Sequence, residues 1–375
     1  MVFVLSSDNI FDYLDRAQLG VSDRSTATVK LIGAKNFNLL VQSPGADSLL
    51  VKQETISADG QQAGELFTEW KLQQLIPQIP ELRSIASFMP KILHCDPDNS
   101  IVINRFFEQY QDLADYYNHQ AMFPTELATI LGQRLGLVHQ LSFDRSNYQQ
   151  QLETAIGKHP LIAQEIVQGL ARLSPNLFSV TPIECLRFFK LYQQYPSLGV
   201  AMQQLAENSV ACCLVHNDLK LNNVLVWLES SDQKIRLIDW ERASWGDPAG
   251  DLGMLIASYI ELWLKSIVVS NELSISESLQ LATVPLELLQ PSLLALMVSY
   301  LHTFPQIIDA QPQYLQRVLQ CTGMSLIYRI EAIMENNRHF GNQGIIMLQV
   351  AKQLLCNPTD FMSTIFGEKV QELLH

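Results

Sequence analysis

The stretch Leu214–Asp251 constrains this chain most, because it sets a His, two Asp and an Asn at fixed offsets around two short apolar runs. Val224–Trp227 and Ile235–Ile238 are apolar enough to be buried strands, and the polar Ser230-Ser231-Asp232-Gln233 between them reads as a turn. The pair is therefore expected to form a β-hairpin. His216, Asp218 and Asn223 precede the first strand, whereas Asp239 and Glu241 follow the second. Hairpin geometry returns Asp239 to the neighbourhood of Asn223 although the sequence holds them apart. A carboxylate and an amide oxygen kept together suit a hard cation such as Mg2+, which takes one or two protein carboxylates plus substrate phosphates. Asp218 stays free beside that pair. A metal pair and a free carboxylate are what phosphoryl transfer requires: neutralised charge at the transferred group and an acceptor for the proton of the incoming hydroxyl. A lone His-x-Asp would more often cap a loop; its combination with the two strands is what carries the chemical reading.

These residues carry a resemblance. His216-x-Asp218-x4-Asn223 followed by Asp239 resembles the catalytic and metal-binding loops of the kinase superfamily. Gly246-Asp247-Pro248-Ala249-x-Asp251-Leu252 resembles the aminoglycoside phosphotransferase and choline kinase branch, where this segment follows the metal Asp after a few residues. Protein kinases place a longer activation loop ending in Ala-Pro-Glu there, and this chain has neither. The resemblance implies Asp218 as catalytic base, Asn223 and Asp239 as metal ligands, and His216 and Asp251 as structural braces of the loop backbone. Two positions depart from the branch's commonest His-Gly-Asp-Leu-His-Pro-x-Asn: Asn217 stands for Gly and Lys220 for His. Asp-Leu-Lys is also how protein kinases write that site, with the Lys near the γ-phosphate. Lys220 therefore joins Asp218 as a candidate catalytic residue, and the acceptor stays open between a small molecule and a Ser/Thr peptide.

Upstream, Asn9–Gln18 reads as a first helix used for packing. Val29–Val41 and Leu49–Lys52 read as strands, with Gly33, Ala34, Lys35 and Asn36 at a bend whose backbone N–H groups can lie over phosphates. One glycine is a weak signal, and Gly33 and Asn36 gain weight because they match the Gly-x-x-Asn often seen in the corresponding loop of the family the chain resembles. Lys52 closes an apolar run, so its ammonium emerges from a buried strand. In Gly64–Ile76, Glu65 and Glu69 share a face with Leu72 and Ile76. Glu69 lies nearest the apolar stripe and is the expected ion-pair partner that orients Lys52 onto the α- and β-phosphates, with Glu65 in reserve. Ile101–Phe107 reads as the last strand before a connector, Glu108–Gln111. In kinases the adenine hydrogen-bonds to this connector's backbone.

Beyond it the periodicity is helical. Leu127, Ile130, Leu131, Leu135, Val138 and Leu141 form one stripe, and His139 there reads as a satisfied structural histidine. Residues 150–210 read as helices broken at Pro160, Pro175, Pro182 and Pro196. Further helices are expected at Leu252–Val269, Pro291–Phe304, Gln313–Asn336 and Gly344–Leu355, with Pro291 in a first turn. Leu252–Val269 holds Glu261 and Lys265 at i,i+4, so a buried helix with one wet edge explains it better than a membrane span.

The net charge of −13 argues against a general nucleic-acid binder, which would show a basic stripe. Six cysteines without a C-x-x-C pair point to free thiols in a reducing cytoplasm, and the N-terminus has no basic region ahead of its short apolar run, unlike a signal peptide. The expected fold is α+β and two-lobed, protein-kinase-like. A small antiparallel sheet forms the nucleotide-binding lobe, residues 1–107, with a hinge about 105–112, and residues 108–375 form a large, mainly helical lobe for catalysis and acceptor binding. The expected reaction is ATP- and Mg2+-dependent transfer of the γ-phosphate to a hydroxyl of a small molecule such as an aminoglycoside, an amino alcohol or a sugar-like compound. A peptide acceptor is the alternative, and a nucleotide-binding regulator without transfer activity a second. Neither a nucleic-acid nor a membrane partner is expected.

Overall fold

Alternate apolar side chains in the N-terminal strands leave one face of a sheet to be covered, and an amphipathic segment ahead of them covers it. In the computed structural model, which describes residues 3–21, 23–33, 36–55, 64–171, 182–229, 234–269, 272 and 275–373, β1 (Thr28–Ile32), β2 (Phe37–Gln42), β3 (Leu49–Gln53), β4 (Ile92–Asp96) and β5 (Ile101–Arg105) form a sheet in the order β1-β2-β3-β5-β4. All its neighbours are antiparallel. Leu39, Val41, Leu49, Val51, Ile101 and Ile103 pack with Leu5, Ile10, Tyr13 and Leu14, the last three from the helix Ile10–Arg16. Each such burial contributes roughly 1.5–3 kcal/mol. The period of two assigns Asn38, Lys52 and Val102, and two positions along Leu50 and Asn104, to the opposite face. The registers Asn38 with Lys52, Lys52 with Val102 and Leu50 with Asn104 agree.

Five shorter strands follow: β6 (Gln111–Asp112), β7 (Cys213–Val215), β8 (Val224–Trp227), β9 (Lys234–Leu237) and β10 (Ser244–Gly246). β8 and β9 make the hairpin, with Val224 opposite Leu237, and β6 adds to its edge. The expected turn Ser230–Gln233 lies outside the described residues, as do Ala34, Lys35 and Pro175. β7 pairs with β10, Val215 opposite Ser244.

The chain divides into two compact units. One comprises Met1–Asp112, Gln151–Gly157 and Asn223–Ala243; the other comprises Leu113–Gln150, Lys158–Asn222 and Ser244–His375. The hairpin is thus grouped with the five-stranded sheet, whereas the sequence reading ran the second lobe unbroken from residue 108. In the helical unit, Thr125–Ser142 packs on Leu286–Thr303, and Pro248–Ser266 packs on Tyr314–Asn337. Gly132 permits the first pairing: a Cβ there would stand 2.3 Å from the Leu296 carbonyl oxygen. Pro291 does not open a helix. It lies inside Leu286–Thr303, where the carbonyl four residues back, that of exposed Glu287, loses its N–H donor to the ring and can turn to water. Glu261 and Lys265 form the expected i,i+4 pair at 2.8 Å, and Arg329 meets the same carboxylate at 2.7 Å. Among the described residues no helix is long and apolar enough to cross a membrane.

Candidate active site

The sheet unit gathers one set of candidate residues. Lys52, buried on β3, donates from Nζ to Asp239 Oδ1 at 2.5 Å. Asp239 reaches it from the end of β9 in the left-handed region, φ 62° and ψ 54°, a conformation that costs a non-glycine residue on the order of 1–3 kcal/mol unless its surroundings hold it. The fully buried Trp240 supplies that anchor, its indole N–H donating to the Leu237 carbonyl at 2.8 Å. Across the hairpin, Ile238 N–H donates to the Asn223 carbonyl at 3.0 Å. Asp239 is therefore one residue beyond the point where the chain meets Asn223.

The expected Lys52–Glu69 ion pair is replaced. Glu69 Oε1 instead accepts from Trp240 N–H at 3.2 Å, which ties the helix Glu65–Leu75 to the segment after β9 and leaves Asp239 as the carboxylate directly on the ammonium. Glu69 still acts on Lys52 through space. Burial alone would lower the Lys52 pKa, but Asp239, then Glu69 and Glu241, hold it above the ordinary lysine range. The converse strain falls on the acids. Burial and then the Asp239 charge push Glu241 up to about 7, Lys52 opposing; burial raises Glu69 against the pull of Lys52, and Glu69 Oε2 has no hydrogen-bond partner among the described residues. Asn36 Nδ2 donates to Glu241 Oε2 at 3.5 Å, so Asn36 joins this group. A Cβ on Gly33 would meet nothing within 4 Å, and the packing does not demand glycine there.

Three carboxylates around one ammonium leave negative charge in surplus, and oxygen donors in surplus are what a hard divalent cation takes. Among the described residues no three His, Cys, Asp or Glu side chains converge as metal ligands. One carboxylate and one amide oxygen suffice for Mg2+ when phosphates and waters complete its octahedron.

The same unit holds a residue that the sequence reading passed over. Arg236 on β9 lies over the Phe107 ring, 4.2 Å from its centroid, and 5.6 Å from that of Tyr110. It also donates to the carbonyls of Ser87 and Met89 at 3.0 and 2.9 Å. The connector is held again at Glu108, which accepts from Ser48 Oγ at 2.5 Å and Gln42 Nε2 at 3.0 Å; these bonds hold its pKa below the ordinary carboxylate value. Nothing in sequence spacing marks Arg236, since its partners come from two distant segments.

The helical unit holds the second set. Asp251 is buried and takes the N–H groups of His216 and Asn217 at 2.7 and 2.8 Å, plus His139 Nε2–H at 3.2 Å. Burial would raise its pKa, but the His139 hydrogen bond and the charges and backbone donor around it keep it below the ordinary Asp value. Asp218 N–H donates to His216 Nδ1 at 3.3 Å, so His216 and Asp251 together shape the loop that presents Asp218. Asn217 sits at φ 62°, where glycine is cheapest and Asn next, and its Nδ2 donates to Ser244 Oγ at 2.8 Å. That bond gives Asn an occupation at a position where glycine is the commonest residue of the branch. Leu219 and Leu221 are buried on either side of Lys220, whose Nζ donates to Asp218 Oδ2 at 2.8 Å. His139 is fully buried with both ring nitrogens engaged, Nδ1 sharing a 2.9 Å hydrogen bond with Tyr300 OH.

Residues 80–269, more than half of the chain, match the family model described as "Phosphotransferase enzyme family". Among solved structures the chain is similar to an ethanolamine kinase of Plasmodium vivax, with 13% identity over 94% of this chain and 89% of that one and a TM-score of 0.58. It is also similar to a choline/ethanolamine kinase family protein of Mesorhizobium loti, with 14% identity, 98% of each chain and a TM-score of 0.53. A choline kinase of Streptococcus pneumoniae gives 16% identity, 93% of this chain and 98% of that one, and a TM-score of 0.51. At such identities the likeness is one of fold: α+β and kinase-like, a small antiparallel sheet followed by a mostly helical remainder.

Proposed function

Because the chain belongs to the phosphotransferase enzyme family, we propose that it moves the γ-phosphate of ATP, with Mg2+, to a hydroxyl of a small molecule such as an amino alcohol, a sugar-like compound or an aminoglycoside. The observation that carries this reading is the charge imbalance at the end of β9, where Asp239, Glu69 and Glu241 all act on the single ammonium of Lys52. Asn223 and Asp239 would hold Mg2+, which supplies charge neutralisation at the transferred phosphoryl group. Lys52 can then give up Asp239 for the α- and β-phosphate oxygens, with Glu69 keeping its ammonium in place. The backbone between Gly33 and Asn36 would cover the phosphates. Asp218 would align the acceptor hydroxyl and take its proton. Lys220, 2.8 Å from Asp218, would orient that carboxylate and bring positive charge towards the γ-phosphate. Residues 1–107 would supply the nucleotide groups and residues 108–375 the acceptor groups. Use of ATP carries with it a cytoplasmic setting.

The shared fold with kinases of ethanolamine and choline supports a small-molecule acceptor. Lys220 in Asp-Leu-Lys favours the second reading, a Ser or Thr hydroxyl of a peptide. An ATP-consumption screen across hydroxyl-bearing metabolites, antibiotics and Ser/Thr peptides separates the two. The nucleotide and metal assignment is tested by Asp239→Ala. ATP with Mg2+ at a hundred times its Kd should stabilise the wild-type protein by about 2.7 kcal/mol and the variant hardly at all, each measured against its own ligand-free midpoint. Equal stabilisation of both would refute the metal role of Asp239.

A further inference from the structure

A third departure from the pattern His-Gly-Asp-Leu-His-Pro-x-Asn lies at Leu221, which stands where that pattern has proline. Leu221 opens the single 3-10 turn Leu221–Asn223, between the candidate base Asp218 and the candidate metal ligand Asn223. The first N–H of a helical turn has no acceptor within the turn, which makes proline cheap there. Proline also fixes φ. Leucine restores the donor and frees φ, and because Leu221 is 2% exposed the donor is shut off from water. A buried N–H without an acceptor carries its full desolvation cost.

Ser258 meets that demand. Its Oγ, on the helix Pro248–Ser266 and 5% exposed as a residue, accepts from Leu221 N–H at 3.4 Å, a long bond, and from Arg329 Nη2 at 2.5 Å. Arg329, on the helix Tyr314–Asn337, also pairs with Glu261 at 2.7 Å, and Glu261 with Lys265 at 2.8 Å. Thr322 and Ser325, buried in that second helix, donate to the carbonyl four residues back, as helical hydroxyls can. Ser258 makes no such bond among the described residues; its oxygen faces two donors from outside its own helix.

We propose, resting on the nucleotide and metal reading above, that Ser258 held by Arg329 is a positioning residue that replaces the missing proline: it fixes the turn that sets Asn223 for the metal. Where proline would lock the turn through its own ring, this chain locks it from the neighbouring helix. The rival account is that the Ser258–Arg329 bond only joins the two helices, which pack on each other.

The measurement is the factor by which Mg2+ raises ATP affinity, from titrations with Mg2+ and with EDTA. Ser258→Ala should cut that factor about threefold or more while metal-free ATP binds as before; this is set below the 10–100-fold usual for a group bonded to the ligand itself, because Ser258 acts through the main chain. Adding Leu221→Pro to Ser258→Ala should recover most of the factor, since proline brings no N–H and its Cδ takes the place of that hydrogen, towards the space the hydroxyl has left. Under the rival account the second substitution recovers nothing. Should the double variant fail to fold, Arg329→Met decides: it removes the group that holds Ser258 while Glu261 keeps Lys265, and it should lower the factor in the same direction. An unchanged factor in Ser258→Ala or in Arg329→Met, or a folded double variant without recovery, overturns the proposal and leaves the phosphotransferase reading standing. A wild type that binds no ATP, or gains nothing from Mg2+, removes the nucleotide and metal reading, and the proposal with it.

Discussion

Replacing Lys52 by Met keeps most of the stem that β3 buries and removes the charge that Asp239, Glu69 and Glu241 share. Breaking a buried ion pair from one side costs about 3–5 kcal/mol, because the partner is left uncompensated. The Asp239 side chain is 30% exposed, so water can screen it, and the loss at pH 8 should fall at the lower end, about 3 kcal/mol. The cost should also depend on pH. Glu241 has its pKa raised to about 7, so in the folded state it binds a proton more tightly than when unfolded. Its stabilising contribution is complete below the ordinary glutamate value and is lost as pH rises through 7. Without the ammonium the folded pKa rises further, and the penalty of Lys52→Met should grow between pH 6 and pH 8. Urea unfolding of both proteins at the two pH values, without nucleotide, measures this directly. In the same assay, Lys52→Met combined with Asp239→Asn should recover part of the loss, with a coupling of about 0.5–3 kcal/mol. A cost below about 1 kcal/mol at pH 8, or one that does not change with pH, would refute the reasoning that a single ammonium compensates the acidic cluster.

Asp218→Asn should retain ATP-Mg2+ affinity and lose about 10²–10⁴-fold in turnover, the usual share of a general base; titration of nucleotide binding beside a turnover assay checks it, and turnover near the wild-type rate would remove Asp218 from the chemistry. Gly132→Ala should destabilise the helical unit by about 2 kcal/mol, since the new Cβ meets the Leu296 carbonyl at 2.3 Å and Ser299 Oγ at 2.2 Å and overpacking of this kind outweighs the better helix propensity of Ala. An unchanged or higher urea midpoint in that variant would show that the two helices are free to part. Glu331 is raised from 4.5 to about 7, by burial and then by the charge of Glu335; Glu331→Gln should therefore flatten the stability profile between pH 5 and pH 8 and leave the variant more stable at pH 8 by up to roughly 3 kcal/mol, an effect that parallel denaturation curves would reveal or exclude.

The sequence by itself determined the hairpin, the order of the chemical residues along it and the two faces of the N-terminal sheet. Each of these follows from local periodicity: side chains one residue apart on a strand point to opposite faces, so Leu39, Val51 and Ile103 had to point one way and Lys52 the other. It also determined the resemblance carried by His216, Asp218, Asn223, Asp239 and Asp251, because those offsets lie within short loops whose backbone path the offsets themselves restrict. The partner of Lys52 was beyond its reach. Glu69 shared a helical face with buried Leu72 and Ile76, as read, yet its carboxylate went to the Trp240 N–H and Asp239 took the ammonium, a choice made by segments far apart in the chain. Strands β6, β7 and β10, two or three residues each, are too short to leave a period and form only where a longer neighbour offers an edge. Pro291 was read as a helix start because proline fits a first turn; the helix begins earlier at Leu286 because the apolar residues that pack it extend beyond the proline. Arg236 shows the same division. An arginine in a strand says nothing alone, and what Arg236 meets was decided when the connector, the Ser87–Met89 segment and β9 came together, since tertiary contact alone sets which donors meet which acceptors.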